Sequence, residues 1–461
     1  MMFSVSAMFD EFKHLIRLAA PILVAQLAIA GLGIVDTVMS GRVGTDDLAA
    51  IGLGSSVLFP VMMLSIGILL TLTPLIGKQY GKNNRAGIVR FLSQGLWLAV
   101  PLSFLTWWLL ANAGIALDFL PLTHKVHQLS DDYLFYIAFG LPGLIFYFVW
   151  RFFWEGLGLT VPTMLISIAA LLLNIPLNAV FIYGFGPVKA YGAAGCGIAS
   201  AIVMWSMLVV GMLFVWRSNQ TRPYLREIRR ALQSPRWHRG MKDILALGVP
   251  NTFALLFEAS LFSLIAIFIA KLGTTVIAAN QVALSYTSLL FMVPLSLSLA
   301  ITIRTGQAYG QGSRVQLLTR VYSGILLAVS VSGVIALMTY GFRQPISALY
   351  TENPEVIQIA VTLLMLASFY QVFDAIQVSS AGALRGLHST QVTMWVTLVC
   401  YWGVGLGGGY VLAFTDWLSG PYGVAGFWIG IVAGFVLAAG ALQIKLYLLI
   451  QRLTRQGELV G

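Results

Sequence analysis

Apolar stretches long enough to cross a hydrocarbon layer recur twelve times along this chain of 461 residues. About 20 helical residues span such a layer. Backbone polar groups in that layer find no water, so each stretch must satisfy its own hydrogen bonds as a helix. The predicted spans cover 14–39, 48–77, 88–112, 133–155, 162–184 and 193–216, then 244–272, 276–305, 315–342, 356–382, 391–415 and 423–451. Charged residues are only 10% of the chain against 58% apolar, too few to coat the surface of soluble domains. The expected fold is all-α and polytopic.

The sparse charges set the expected orientation. With the N-terminus in the cytoplasm, 22 of the 27 basic residues fall on the inner side or in the central linker, including Arg236 and Arg239. The five on the outer side are Arg42, Lys125, Lys189, Lys271 and Arg343. This is the positive-inside pattern, with both termini cytoplasmic. The net charge of +10 is thereby topological and does not point to nucleic acid. The segment before the first span lacks the basic start and cleavage site of a signal peptide. Cys196 and Cys400 lie inside apolar spans and read as packing residues.

The chain also repeats itself. At a shift of 229, Pro21 falls on Pro250, Gly44-Thr45 on Gly273-Thr274, Tyr80-Gly81 on Tyr309-Gly310, and Arg85 on Arg314. At 230, Gly156-Leu157 meets Gly386-Leu387 and Thr163-Met164 meets Thr393-Met394. At 231, Tyr191-Gly192 and Gly195 meet Tyr422-Gly423 and Gly426. Two homologous halves follow: an N-terminal lobe over 1–220, a cytoplasmic linker over 221–243 and a C-terminal lobe over 244–461. Six spans per half give both halves one orientation, with a pseudo-two-fold axis along the membrane normal and a central cavity between the lobes.

Three acids remain inside the spans: Asp36, Glu258 and Asp374. Intramembrane carboxylates are costly and usually carry function. Glu258 has no basic residue four positions away, and Tyr370 lies one turn before Asp374 on the same helix face. A carboxylate there either takes up a proton or holds a cation. The alternative is a protonated acid bonded to a neighbouring helix. Asp36 lies only six residues before Arg42, so an interfacial acid is also open. Pro21 is expected to kink the first span as a hinge. Asn174 and Asn178, at i,i+4 in the fifth span, share one face, and Asp36 is their natural partner. Helix-packing glue is the other reading of that pair.

Nucleotide-binding loops and a nucleophile–base pair are missing, so neither an ATP-driven engine nor an enzyme is expected. The glycine run Gly403 to Gly409 reads as close helix packing, and His124 with His127 as poor evidence for a metal.

The twelve spans, the repeat, GIVDTVMSG around Asp36, LLLNIPLNAVFIYG, PNTFALLFEASLF and YQVFDAIQVSSAGALRG together resemble the multidrug and toxic compound extrusion family, in its bacterial NorM-type branch. The resemblance runs from about Leu15 to Leu449. It implies a secondary antiporter of the bacterial inner membrane that exports cationic amphiphilic drugs and dyes in exchange for Na+ or H+, without other cofactors, as a monomer among membrane lipids. It further implies a cation site at Glu258, Tyr370 and Asp374, and another at Asp36, Asn174 and Asn178. Drug contact would fall to Asp36, Gln281 and Ser285. The alternatives are a lipid-linked precursor flippase or another cation-coupled carrier.

Overall fold

A computed structural model describes residues 5–118, 122–232, 240–417 and 421–460. Part of the basic linker, with Arg236, His238 and Arg239, lies outside the described residues. The rest is almost wholly helical, as an apolar chain that must satisfy its own backbone requires. In chain order the first half holds α1 (Val5–Gly41), α2 (Thr45–Leu69), α3 (Leu72–Gly81), α4 (Arg85–Ala111), α5 (Gly114–Leu117), α6 (His124–Ala138), α7 (Leu141–Gly156), α8 (Val161–Tyr183) and α9 (Ala193–Arg217). A short basic helix, α10 (Arg222–Ala231), follows. The second half holds α11 (Lys242–Ile269), α12 (Thr274–Gln311), α13 (Arg314–Tyr350), α14 (Pro354–Gly386), α15 (Gln391–Thr397), α16 (Gly409–Phe414) and α17 (Val424–Arg455). Between α15 and α16, residues Leu398–Gly408 form a π-helix that the sequence reading does not anticipate.

Among the described residues, eleven helices are long and apolar enough to cross a membrane. The predicted fourth span is the twelfth, formed by α6 and α7, which meet at a 45° bend. The bend leaves the Phe139 carbonyl without a helical partner, and the Trp205 indole N–H donates to it at 2.9 Å.

The chain divides into two compact units, Met1–Ala19 with Phe253–Gly461, and Ala20–Thr252. Both changeovers fall beside a proline inside a continuous helix, Pro21 in α1 and Pro250 in α11. The internal geometry of one unit repeats in the other. Helix starts pair as Thr45 with Thr274, Arg85 with Arg314, Val161 with Gln391, and Ala193 with Val424. Gly192 and Gly423 enter the last helix of each half at φ 56°, ψ −132° and φ 56°, ψ −134°, a left-handed turn that favours glycine. The Thr73 hydroxyl donates to the Phe152 carbonyl at 3.5 Å, and its counterpart Thr302 to that of Gly382 at 2.9 Å.

The repeat runs on past the sixth span. Glu227 pairs with Arg85 at 2.8 Å, while Glu458, its counterpart, accepts from the Tyr309 hydroxyl at 2.6 Å. The next residues, Ile228 and Leu459, are both buried.

Gly195 and Gly426 make the closest helix approaches of this pattern. A methyl on Gly195 would meet the Phe181 carbonyl oxygen at 2.2 Å, and one on Gly426 the Ala413 nitrogen at 2.6 Å. Gly195→Ala is therefore expected to destabilise the detergent-solubilised protein by roughly 1–3 kcal/mol, read from thermal unfolding. Gly52→Ala, with nothing within 4 Å of the new methyl, is the control and should leave the transition in place.

Candidate functional site

Carboxylates at the ends of the spans, Glu11, Asp47 and Glu155, are buried as well as those in the middle. Each of these three has a partner that accounts for it. Glu155 accepts from Arg151 Nε at 2.8 Å and from the Thr163 hydroxyl at 2.9 Å, and Thr163 in turn accepts from the Trp154 indole. Glu11 takes two bonds from the Arg304 guanidinium at 2.6 and 2.5 Å. Asp47 accepts from the Ala193 backbone N–H at 2.8 Å. Burial alone does not mark a site in this chain; the kind of partner does.

Asp36, 9% exposed on α1, sits at the centre of a neutral donor cluster in the unit formed by Ala20–Thr252. Its Oδ1 accepts from Asn174 Nδ2 at 3.1 Å and Asn178 Nδ2 at 2.7 Å, and its Oδ2 from the Ser200 hydroxyl at 3.1 Å. Asn178 also donates to Asn174 Oδ1 at 3.0 Å, tying the two amides to each other. The sequence expectation that both amides face Asp36 is met. The Cys196 thiol, expected only to pack, is a further hydrogen-bond partner of Asp36. One acceptor in the cluster, Asn178 Oδ1, is buried without a partner among the described residues. Both oxygens accept from neutral side chains, with no cationic side chain in contact among the described residues.

Glu258 and Asp374 form a different kind of site in the other unit. Asp374 on α14 is 5% exposed, and its Oδ1 has no hydrogen-bond partner among the described residues. Glu258 on α11 is half-buried and lies within electrostatic reach of Asp374. Tyr370, one turn before Asp374, is buried with its hydroxyl bonded to Thr287. Its ring stacks on Phe435 with centroids 5.4 Å apart. The Arg385 guanidinium lies within electrostatic reach of Glu258 and donates to the Thr302 hydroxyl at 3.4 Å. Two carboxylates share this site, and one has an oxygen that no protein donor fills. That arrangement suits a bound monovalent cation or a proton.

Gln281 and Ser285, one turn apart on α12, are bonded to each other at 3.2 Å, with Gln281 exposed and Ser285 half-buried. Tyr401, Ser200 and Cys196 join the two clusters without having been singled out as site residues by the sequence. The signal for Ser200 and Cys196 was their i,i+4 spacing on one face of α9.

The paired and unpaired acids should separate in stability measurements. Glu155→Gln removes the partner of a buried arginine and is expected to cost about 3–5 kcal/mol. Asp374→Asn relieves an unpartnered buried carboxylate and should leave the melting temperature unchanged or raise it. An equal loss in both variants would make Asp374 a structural acid.

The MatE family model matches residues 21–180 and again 250–411. Its two matches begin 229 positions apart and end 231 apart, the drift seen in the repeat itself. The chain is 38% identical over 450 residues to the probable multidrug resistance protein NorM of Idiomarina loihiensis, covering 97% of this chain and 96% of that one. The fold is similar to that of a MATE transporter in a bent conformation, with a TM-score of 0.87, 21% identity and 98% of both chains covered. It is also similar to the eukaryotic MATE transporter AtDTX14, with a TM-score of 0.84, 22% identity, and 98% and 99% covered. The Vibrio cholerae transporter VcmN in its bent form gives 0.82 at 18% identity, with 99% and 100% covered. With the duplicated six-span plan and both family matches in register, the chain belongs to the MatE family of membrane transporters.

Proposed function

We propose that the chain is a multidrug efflux antiporter that exports cationic amphiphilic compounds in exchange for Na+ or H+. The observation that carries this reading is the Glu258–Asp374 pair, with an unpartnered buried carboxylate oxygen in the membrane interior. The relative's name, multidrug resistance protein, supports the choice of cargo. The 22-to-5 distribution of basic residues supports a bacterial inner-membrane location with cytoplasmic termini.

The coupling ion binds at Glu258 and Asp374, where its charge offsets two carboxylates that the protein leaves without a cationic partner in contact. Tyr370 shapes the wall of that site. Asp36 keeps a second negative charge in place by donors alone, available to a cationic drug or to a proton, with Asn174 and Asn178 setting its orientation. Gln281 and Ser285 supply neutral polar contacts to the drug. Exchange requires only that ion and drug favour different conformations of the protein. Pro21 provides the point in α1 at which the backbone ladder is already missing a bond, and so the cheapest place for that helix to change shape.

Proteoliposomes loaded with a fluorescent lipophilic cation test this, with voltage clamped and ATP absent. An inward Na+ gradient at constant pH, or a pH gradient without Na+, is expected to drive dye out, and the effective gradient names the ion. If neither moves dye, the antiport reading falls and lipid-linked precursor flipping becomes the next assay.

Two substitutions divide the roles. Asp36→Asn is expected to abolish export while the protein still inserts, because the new amide sets donors against the Asn174, Asn178 and Ser200 donors. Wild-type drug resistance in cells carrying it would remove Asp36 from the mechanism. Asp374→Asn is expected to leave equilibrium dye binding measurable but make efflux insensitive to the driving ion.

A further inference from the structure

The two halves of the chain differ by one residue within a single span. Thr163 and Thr393 are 230 apart, whereas Tyr191 and Tyr422 are 231 apart, so the second half gains a residue between these markers. The helix Val161–Tyr183 has 23 residues and its counterpart Gln391–Phe414 has 24. The π-helix Leu398–Gly408 lies inside that longer span. A π turn holds an extra residue per hydrogen-bonded ring, so an insertion is absorbed without opening the backbone ladder, and such turns recur at functional sites.

Register is kept on both sides of the insertion. After it, Gly426 packs on the Leu412–Ala413 backbone just as Gly195 packs on Phe181–Ile182. The extra residue is taken up within the π stretch. Two glycines of α17 hold that stretch close: a methyl on Gly430 would meet the Gly405 carbonyl oxygen at 2.5 Å, and one on Gly434 that of Cys400 at 2.7 Å.

The π stretch carries Tyr401. Its position in the first half is Leu171, whose side chain packs at 3.2 Å from where a methyl on Gly31 would lie. Tyr401 is 1% exposed, with its ring against Phe435 at 4.8 Å between centroids. Phe435 also carries the stacked ring of Tyr370, one turn from Asp374. Leu261, one turn beyond Glu258, belongs to the same apolar cluster. The phenol ring is thus fixed among residues adjacent to both acids, within electrostatic reach of each. Its hydroxyl has no hydrogen-bond partner among the described residues.

We propose that the Tyr401 hydroxyl, carried on the π stretch, is a further ligand group of the Glu258–Asp374 site. The inference rests on the reading of that site as the coupling-ion site. A phenol can do two things there that leucine cannot. It donates its O–H to a carboxylate when the ion is absent, and it turns an oxygen lone pair to a monovalent cation when the ion is present. A buried hydroxyl left unpaired is otherwise costly, and this one lies within electrostatic reach of Asp374, whose Oδ1 is also unfilled among the described residues. Tyr401 therefore tunes ion affinity and leaves the cargo's own contacts alone.

The test compares wild type, Tyr401→Phe, Tyr401→Leu and Asp374→Asn in lipid nanodiscs. Na+ is titrated at constant pH, and dye release is followed against pH without Na+. Tyr401→Phe keeps the ring on Phe435, so its melting temperature should match wild type. Its Na+ half-saturation is expected to rise about tenfold, or its pH midpoint to move by about one unit, with dye affinity in ion-free buffer unchanged. Tyr401→Leu restores the residue of the sister span and should give the same ion shift if the hydroxyl is what matters. A shift confined to Leu, or an ion response in Phe equal to wild type while Asp374→Asn abolishes it, overturns the role of Tyr401 and leaves the site standing. An Asp374→Asn protein with intact responses to both ions removes the site, and this inference with it.

Discussion

A carboxylate in the apolar interior must be neutralised or surrounded by donors, and the architecture of this chain is organised around how each buried acid meets that demand. Three solutions coexist. Glu155 and Glu11 are met by arginine, at Arg151 and Arg304, and so serve cohesion. Asp36 is met by neutral amide, hydroxyl and thiol donors, with no cationic side chain in contact among the described residues. Asp374 retains an unfilled oxygen beside a second acid. The second and third leave an acid of the span interior without a cationic side chain in contact among the described residues, and the proposed cation sites lie there.

The scaffold is duplicated, but the chemistry is not. Helix boundaries, left-handed turns and close glycine contacts recur from one half to the other. The polar residues do not. Asp36, Asn174, Cys196 and Ser200 correspond to Ile265, Val404, Phe427 and Ile431, while Glu258, Tyr370 and Asp374 correspond to Ile29, Gly140 and Leu144. Each unit carries one polar cluster at a place where its sister is apolar or bare. Backbone packing is thus the inherited part, and each half has acquired its own way of holding charge on it.

What was legible in the sequence followed from periodicity. The spans were visible because hydrocarbon demands length, and the Asp36 cluster because Asn174 and Asn178 share a face at i,i+4. The Arg151–Glu155 pair has the same spacing, but a place near a span end does not tell whether such a pair is solvated; packing shows it buried. The 45° break between α6 and α7 has a local signal in Pro142, the second residue of α7, but Trp205, which satisfies the freed carbonyl, lies 66 residues away in sequence. Partners that distant leave no local pattern to read.

Tyr401 was hidden for a different reason. Reading a helix face assumes 3.6 residues per turn, and the π stretch breaks that assumption over the residues that matter. Its trace was nevertheless present in the drift of the repeat from 230 to 231. An insertion in a loop changes only the connection, because loops absorb length easily. An insertion inside a span has no such outlet, since every backbone group there must stay bonded and the helices on both sides are locked by contacts such as that of Gly426. The extra residue is therefore confined to the π stretch Leu398–Gly408. A duplicated scaffold can in this way carry a tyrosine where the sister span carries Leu171, without disturbing the packing that both halves share.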